Sequence, residues 1–157
     1  MHFRYHPSPL GQLLLAGDEH GLHLLHMDSA HPWALDEHWQ PATGQLDEVA
    51  RQLDAYFEGR RQRFELTLAP RGTEFQRAVW WALQQIPYGT TTSYAQLANT
   101  IGRPKAIRAV GTANGANPVA VIVPCHRVIG SDGSLTGFAG GLERKQQLLQ
   151  LEGAWLI

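Results

Sequence analysis

Two helix-start patterns do most to limit what this chain can become. Thr73-x-x-Gln76 and Ser93-x-x-Gln96 both have capping-box spacing, in which a hydroxyl side chain and a later amide close off the first backbone N–H groups of a helix. Phe75, Val79, Leu83 and Ile86 then supply one apolar helical face, which Pro87-Tyr88-Gly89 terminates. Tyr94, Leu97, Ala98 and Ile101 follow the second pattern. Gly102-Arg103-Pro104 makes a turn there, with Pro104 placed as the first residue of another helix running to about Ala113. Two short helices joined by a glycine-containing turn have the pattern of a helix-turn-helix, although simple helix packing uses the same pattern. Arg103, Lys105 and Arg108 lie at the start and on the face of the second helix, and Ala106, Ala109, Gly111 and Ala113 keep one side of it small.

Upstream the pattern differs. Residues 2–6, 11–16 and 21–27 read as short strands of a hairpin or meander, and 28–44 as loop or irregular helix. Leu46, Val49, Leu53, Tyr56 and Phe57 recur at helical spacing up to Gly59, and Phe64, Leu66 and Leu68 alternate as a further strand. Ala69-Pro70-Arg71-Gly72 has linker composition, so the expected domains are 1–70 and 71–157. Charge divides at the same place: residues 1–70 hold 5 Lys/Arg and 10 Asp/Glu, residues 71–157 hold 8 and 4, and no acid lies between Glu74 and Asp132. An anionic partner suits the second half.

With 43% apolar and 17% charged residues, the chain is neither disordered nor a coiled coil. No apolar stretch is long enough for a membrane span and no signal-peptide segment leads the sequence, so a soluble cytoplasmic protein without membrane attachment is expected. The lone Cys125 cannot form an internal disulfide and excludes zinc sites that need two thiolates. His20, His23 and His26 are evenly spaced, but on a strand neighbouring members diverge, so no metal is expected and these histidines read as surface residues. Gly137-Phe138-Ala139-Gly140-Gly141 lacks the Lys-Ser/Thr ending of a phosphate loop and reads as pocket wall.

Val119-Ala120-Val121-Ile122-Val123 has buried-strand character and leads into Pro124-Cys125-His126-Arg127. An imidazole and a guanidinium beside a thiol are the electropositive help a thiolate nucleophile requires. On an extended segment Cys125 and His126 face apart, which favours a link through a water or a bend rather than direct stacking. Glu152 could orient His126, with Asp132 and Glu143 as rivals. Leu142 to Glu152 forms the last helix, stopped by Gly153.

Pro124-Cys125-His126-Arg127-Val128 after an apolar run and a helix-turn-helix resembles the methylated-DNA–protein-cysteine methyltransferases, or O6-alkylguanine-DNA alkyltransferases. The likeness extends over Tyr88-Gly89, Ser93-Tyr94, Arg108-Ala109-Val110-Gly111, Asn117-Pro118 and Gly140-Gly141-Leu142, and more loosely over Pro9-Leu10-Gly11. The resemblance implies an α/β protein. Its small N-terminal α/β domain would have an antiparallel, ribonuclease H-like sheet, and its mostly helical, winged-helix-like C-terminal domain would carry the helix-turn-helix. It implies single-turnover DNA repair without a cofactor: Cys125 takes the alkyl group from O6 of a flipped guanine in double-stranded DNA, bound through the minor groove by a monomer. Whether O4-alkylthymine also reacts is left open.

By similarity Glu152 orients His126, which draws the Cys125 proton through water, and Asn117 braces the turn before the active-site segment. Tyr94 presses on a phosphate and offers its hydroxyl to the departing base, Arg108 fills the vacated stack, and Lys145 holds the architecture. DNA would meet Arg103, Lys105, Ala109, Gly111 and Ala113. Pro124, Val128, Phe138, Ala139 and Gly140 would line the base pocket, with the carbonyls of Cys125 and Val128 accepting from the guanine amine. Ala139 stands where relatives often have Ser, and Phe138 where they have Tyr. Two other readings are a cysteine hydrolase on Cys125, His126 and Glu152, and a non-reactive alkylated-DNA lesion-binding or transcriptional protein; known binding-only relatives replace the cysteine.

Overall fold

The computed structural model describes residues 1–27, 33–138 and 140–154, which divide into two compact units, Met1–Arg71 and Gly72–Ile157. In the first, β1 (His2–Ser8), β2 (Gly11–Asp18) and β3 (Gly21–Met27) form an antiparallel meander, and β4 (Gln40–Pro41) pairs parallel with β1, giving the order β3-β2-β1-β4. The continuous run Leu13-Leu14-Leu15-Ala16 puts apolar side chains on both faces of β2, and both are covered. Leu14, Ala16 and Leu24 cluster with Met1, Phe3 and Trp39, while Leu13, Leu15 and Leu25 are fully buried along with Leu53 and Tyr56 of α1 (Asp47–Phe57). Gly21 opens β3 at a φ of 133°, where a Cβ would stand 2.6 Å from the Thr67 carbonyl oxygen; only glycine fits there.

Three expectations for this unit change. The strand over 64–68 shrinks to a single parallel bridge between Leu22 and Leu68. The buried Gln52 side chain replaces a strand partner at Glu65: Gln52 Nε2 donates to Glu65 O at 3.2 Å, and Glu65 N donates to Gln52 Oε1 at 2.9 Å. β4 falls in the stretch read as loop. His23 is not a surface residue, and neither is His6 on β1. They are buried and bonded to Asp18 at 2.8 Å and to Asp54 at 2.7 Å respectively, because a carboxylate within reach satisfies an imidazole that the sheet covers. Among the described residues no group of three or more His, Cys, Asp or Glu could hold a metal, and no helix is long and apolar enough to cross a membrane.

The second unit begins with α2 (Glu74–Leu83), closed by the full Thr73/Gln76 capping box. Trp80 is buried on its inner face and donates from Nε1 to Ala113 O at 2.9 Å. β5 (Thr92–Ser93) leads into α3 (Tyr94–Thr100), capped by Ser93 Oγ, which accepts from Gln96 N at 3.1 Å. Gly102 turns the chain at a φ of 75°, and α4 (Ile107–Gly115) follows. β6 (Val128–Ile129) pairs parallel with β5, and α5 (Leu142–Leu151) ends before Gly153. Val79, Leu83, Ala98, Val110, Val128, Leu148 and Leu149 form the buried centre.

Two expectations fail here. α4 does not start at Pro104: Arg103 and Lys105 lie in the turn before it, Ala106 N donates to Arg103 O, and Ala106 is the N-cap. The apolar run 119–123 is no strand. It is a chain of buried tight turns, and Cys125–Arg127 is a short 3-10 turn. Apart from a bridge at Val119, the run is closed on itself: Ile122 N donates to Ala120 O at 2.8 Å and Val123 N to Val119 O at 2.9 Å.

Candidate active site

The approach to Cys125 is built from two tight turns held by one amide. Val121 has a φ of 72°, rare for a β-branched residue, and centres a three-residue turn closed by the Ile122 N to Ala120 O bond. Such a conformation costs about 1–3 kcal/mol and persists only where the surroundings over-determine it. Pro124, at φ −81° and ψ 64°, centres a second turn of the commoner hand, in which Cys125 N donates to Val123 O at 2.8 Å. Asn117 grips both ends of the segment: its Nδ2 donates to Val123 O at 2.8 Å, and its Oδ1 accepts from Val119 N at 3.0 Å.

Cys125 therefore enters the 3-10 turn buried, at 5% exposure. Burial pushes its thiol up from the ordinary range, and a hydrogen bond from the Asn117 side chain and the charge of Lys145 only partly oppose this. The sequence assigned the helping cations to His126 and Arg127, and the structure points both of those side chains elsewhere. Consecutive residues of a 3-10 turn project about 120° apart, rather than to opposite faces as on a strand. His126 and Arg127 converge on Glu152, the C-cap of α5.

His126 Nε2 lies 2.8 Å from Glu152 Oε2. Arg127 forks onto the same carboxylate, Nε to Oε1 at 2.8 Å and Nη2 to Oε2 at 3.0 Å, while its Nη1 donates to Ile86 O at 2.6 Å. The guanidinium carbon lies 5.8 Å from the centre of the Tyr88 ring. Burial alone would raise Glu152, but the bonds from His126 and Arg127 outweigh it and hold the carboxyl down to about 2. Burial also drives His126 below its ordinary value, more than Glu152 raises it. An ionised Glu152 beside a neutral imidazole assigns the proton to Nε2 and leaves the Nδ1 lone pair free; Nδ1 is buried with no hydrogen-bond partner.

Lys145 is fully buried on α5 and donates to Val128 O at 2.6 Å and Thr136 O at 2.5 Å. Burial pulls its ammonium down to about 8, against the opposite pull of Cys125. Thr136 carries the network on to Tyr94: its Oγ1 donates to the Tyr94 hydroxyl oxygen at 3.1 Å. Cys125 O accepts from Val128 N and, at 3.5 Å, from Asn114 Nδ2, and Val128 O accepts from Lys145. Neither rival acid reaches His126: Asp132 bonds Ser134 within its own turn, and Glu143 is exposed in the first turn of α5.

Arg103, Lys105, Arg108 and Ala109 are exposed. Gly111 faces Tyr94, whose ring lies 3.7 Å from where a Cβ would be. Ala113 departs from the small-residue face proposed for DNA: it is buried at 2% exposure and its carbonyl is held by Trp80, because that side of α4 packs on α2. Pro124 is buried, Phe138 and Gly140 are half-buried, and Ala139 lies outside the described residues. Sequence reading missed Asn114, whose buried Nδ2 lies 3.5 Å from Cys125 O, and Thr136; no local pattern marks either residue.

Comparison with known proteins decides the family. A model described as "6-O-methylguanine DNA methyltransferase, ribonuclease-like domain" matches residues 1–70, and one described as "6-O-methylguanine DNA methyltransferase, DNA binding domain" matches residues 74–154. The chain belongs to the 6-O-methylguanine DNA methyltransferase family. A methylated-DNA–protein-cysteine methyltransferase of Methanosarcina acetivorans is 50% identical over 98% of this chain and 99% of its own. The Mycobacterium tuberculosis protein of the same name is 50% identical over 97% of this chain and 92% of its own. The crystal structure of Mycobacterium tuberculosis OGT in complex with DNA matches with a TM-score of 0.91 at 49% identity, covering 98% of this chain and 94% of that one. The two-domain architecture is thus that of the methyltransferase family, with an antiparallel sheet in the first unit and a helical DNA-binding unit after it. Relatives named as methyltransferases do not favour the non-reactive lesion-binding reading.

Proposed function

We propose that this protein repairs alkylated DNA by moving the alkyl group from O6 of guanine onto Cys125, once per molecule. The reading is carried by one observation: His126, which follows the chain's single thiol in sequence, is bonded through Nε2 to Glu152 while burial favours its neutral form, so its Nδ1 can serve as a base for Cys125 through water. The thiol proton passes by way of water to His126 Nδ1. Sγ forms the S–C bond, the C–O6 bond breaks with its electron pair staying on guanine, guanine takes up a proton from the Tyr94 hydroxyl, and the proton gained by His126 restores that hydroxyl by way of water. The thioether is a poor leaving group and the chain holds no second thiol, so the product is final.

O6 is hidden in a duplex, so the nucleotide must leave the stack, at a cost of a few kcal/mol offset by contacts in the pocket. Arg108 takes the vacated place, with α4 in the minor groove; its small exposed Ala109 allows close approach. The first turns of α3 and α4 hold no acid and α4 has no side-chain cap, so their positive ends and Arg103, Lys105 and Arg108 suit phosphate. Val128 O, and Cys125 O in exchange for its long 3.5 Å bond from Asn114, accept from the guanine amine, with Pro124, Phe138, Ala139 and Gly140 around the base. Residues 1–70 act as a support domain and residues 71–157 bind DNA and accept the alkyl group. The protein acts as a monomer, and a chain that depends on a free thiol suits the reducing cytoplasm.

Intact-protein mass spectrometry with peptide mapping tests this, using excess duplex DNA containing O6-methylguanine. One added methyl per chain, on Cys125, is the expected result. Unmodified protein, or catalytic turnover without a mass change, refutes the reading.

A further inference from the structure

Resting on that reading of the site, we propose that Arg127 is a positioning residue for the transfer: its fork on Glu152 cancels the carboxylate charge and so keeps His126 an uncharged, Nε2-protonated base. The fork takes both carboxylate oxygens, at 2.8 and 3.0 Å, and His126 shares Oε2. The third guanidinium nitrogen is fixed by Ile86 O and the plane lies over Tyr88, so Arg127 has no freedom to turn toward the thiol. All three side chains are buried, with exposures of 0% for His126 and Glu152 and 9% for Arg127.

The electrostatics follow from that burial. A buried carboxylate with no counter-ion either recruits a proton onto its histidine partner or takes one itself. In the first case His126 becomes an imidazolium and the Nδ1 lone pair is lost. In the second, a protonated Glu152 donates to Nε2 and moves the histidine proton to Nδ1. Both remove the base. Arg127 prevents both by supplying the counter-charge itself, and its own positive charge also opposes protonation of His126. The other groups facing the pair are Cys125 on the same turn, Lys145 from α5 and Tyr88 beyond the guanidinium. Lys145 likewise disfavours an imidazolium, but it is bonded to Val128 O and Thr136 O and cannot take over the carboxylate.

The test is the pH dependence of the single-turnover transfer rate in wild type, Arg127→Met and Arg127→Lys. In Arg127→Met the rise of rate with pH is expected to move up by about 1–3 pH units. Its rate at pH 6 is expected to fall about tenfold or more, recovering to within about threefold of wild type by pH 9. Arg127→Lys restores the charge without the fork and should lie between, with DNA affinity unchanged throughout. A loss equal at every pH, or an unmoved profile, overturns the proposal. Should Arg127→Met not fold, 15N NMR of the wild-type imidazole decides alone: His126 is expected uncharged with its proton on Nε2 at pH 6.5, and an imidazolium there refutes the role. Wild-type protein that never gains a methyl on Cys125 defeats the reading of the site itself, whereas a methylated wild type with an unshifted Arg127→Met profile defeats only this inference.

Discussion

Glu152→Gln is the sharpest test of how the second unit is held together. Glu152 has no exposed side-chain surface, and a carboxyl held at about 2 rather than an ordinary 4.5 contributes about 3 kcal/mol of stability at neutral pH. Because the folded state lowers this value, the contribution is fully present above pH 4.5 and is lost as pH falls toward 2. The glutamine removes it and leaves Arg127 buried without its counter-ion, so the loss at pH 7 should be about 3–5 kcal/mol. With an m-value of about 1–3 kcal/mol/M, the urea midpoint should drop by about 1 M or more. Urea unfolding followed by tryptophan fluorescence measures this, since Trp80 is buried in the same unit. Wild type should weaken as pH falls from 4.5 toward about 2, and the variant should be both weaker at pH 7 and flatter across that interval. A variant within about 1 kcal/mol of wild type at pH 7, or equally steep in acid, would show that the network is not the stabilising feature its geometry describes.

Two further outcomes are expected. Arg108→Ala should slow repair of duplex DNA by more than about tenfold while leaving reaction with a free O6-alkylguanine base nearly unchanged, because only the duplex needs its stack filled; equal losses in paired single-turnover assays would remove that role. Asn117→Ala breaks the two bonds that hold the strained segment and removes a hydrogen bond from the thiol, so about 2–3 kcal/mol of stability should go together with a slower transfer rate, read by urea unfolding and stopped-time mass analysis; an unchanged transfer rate would separate Asn117 from the chemistry.

What the sequence made legible is what local chemistry decides. The start of α2 could be read because Thr73 and Gln76 cap it within one turn. The meander could be read because turn glycines separate its apolar runs. The start of α4 was misplaced because Pro104 is permitted at a helix start but equally at home in the turn the chain makes there. Residues 119–123 look like a strand because a buried turn cluster and a buried strand are equally apolar; what separates them is Asn117, whose amide takes the place of a strand partner. Arg127 stands beside Cys125 in sequence, yet its carboxylate partner lies at the end of the last helix, a pairing no local spacing encodes. The two-residue β4 is too short to leave a period, and the alternation of Phe64, Leu66 and Leu68 marks a segment of which only Leu68 forms a bridge.

The burial of Cys125 has a consequence for how such a protein survives in the cell. A molecule that can react only once is lost if it reacts with the wrong electrophile. At 5% exposure and with its proton held tightly, the thiol reacts poorly with peroxide, small alkylating agents or disulfides, all of which are electrophiles for an exposed thiolate. Its latency is therefore built into the fold. Reactivity depends on a base lodged in the pocket rather than on the sulfur alone, and the protein can wait at full capacity until a lesion arrives.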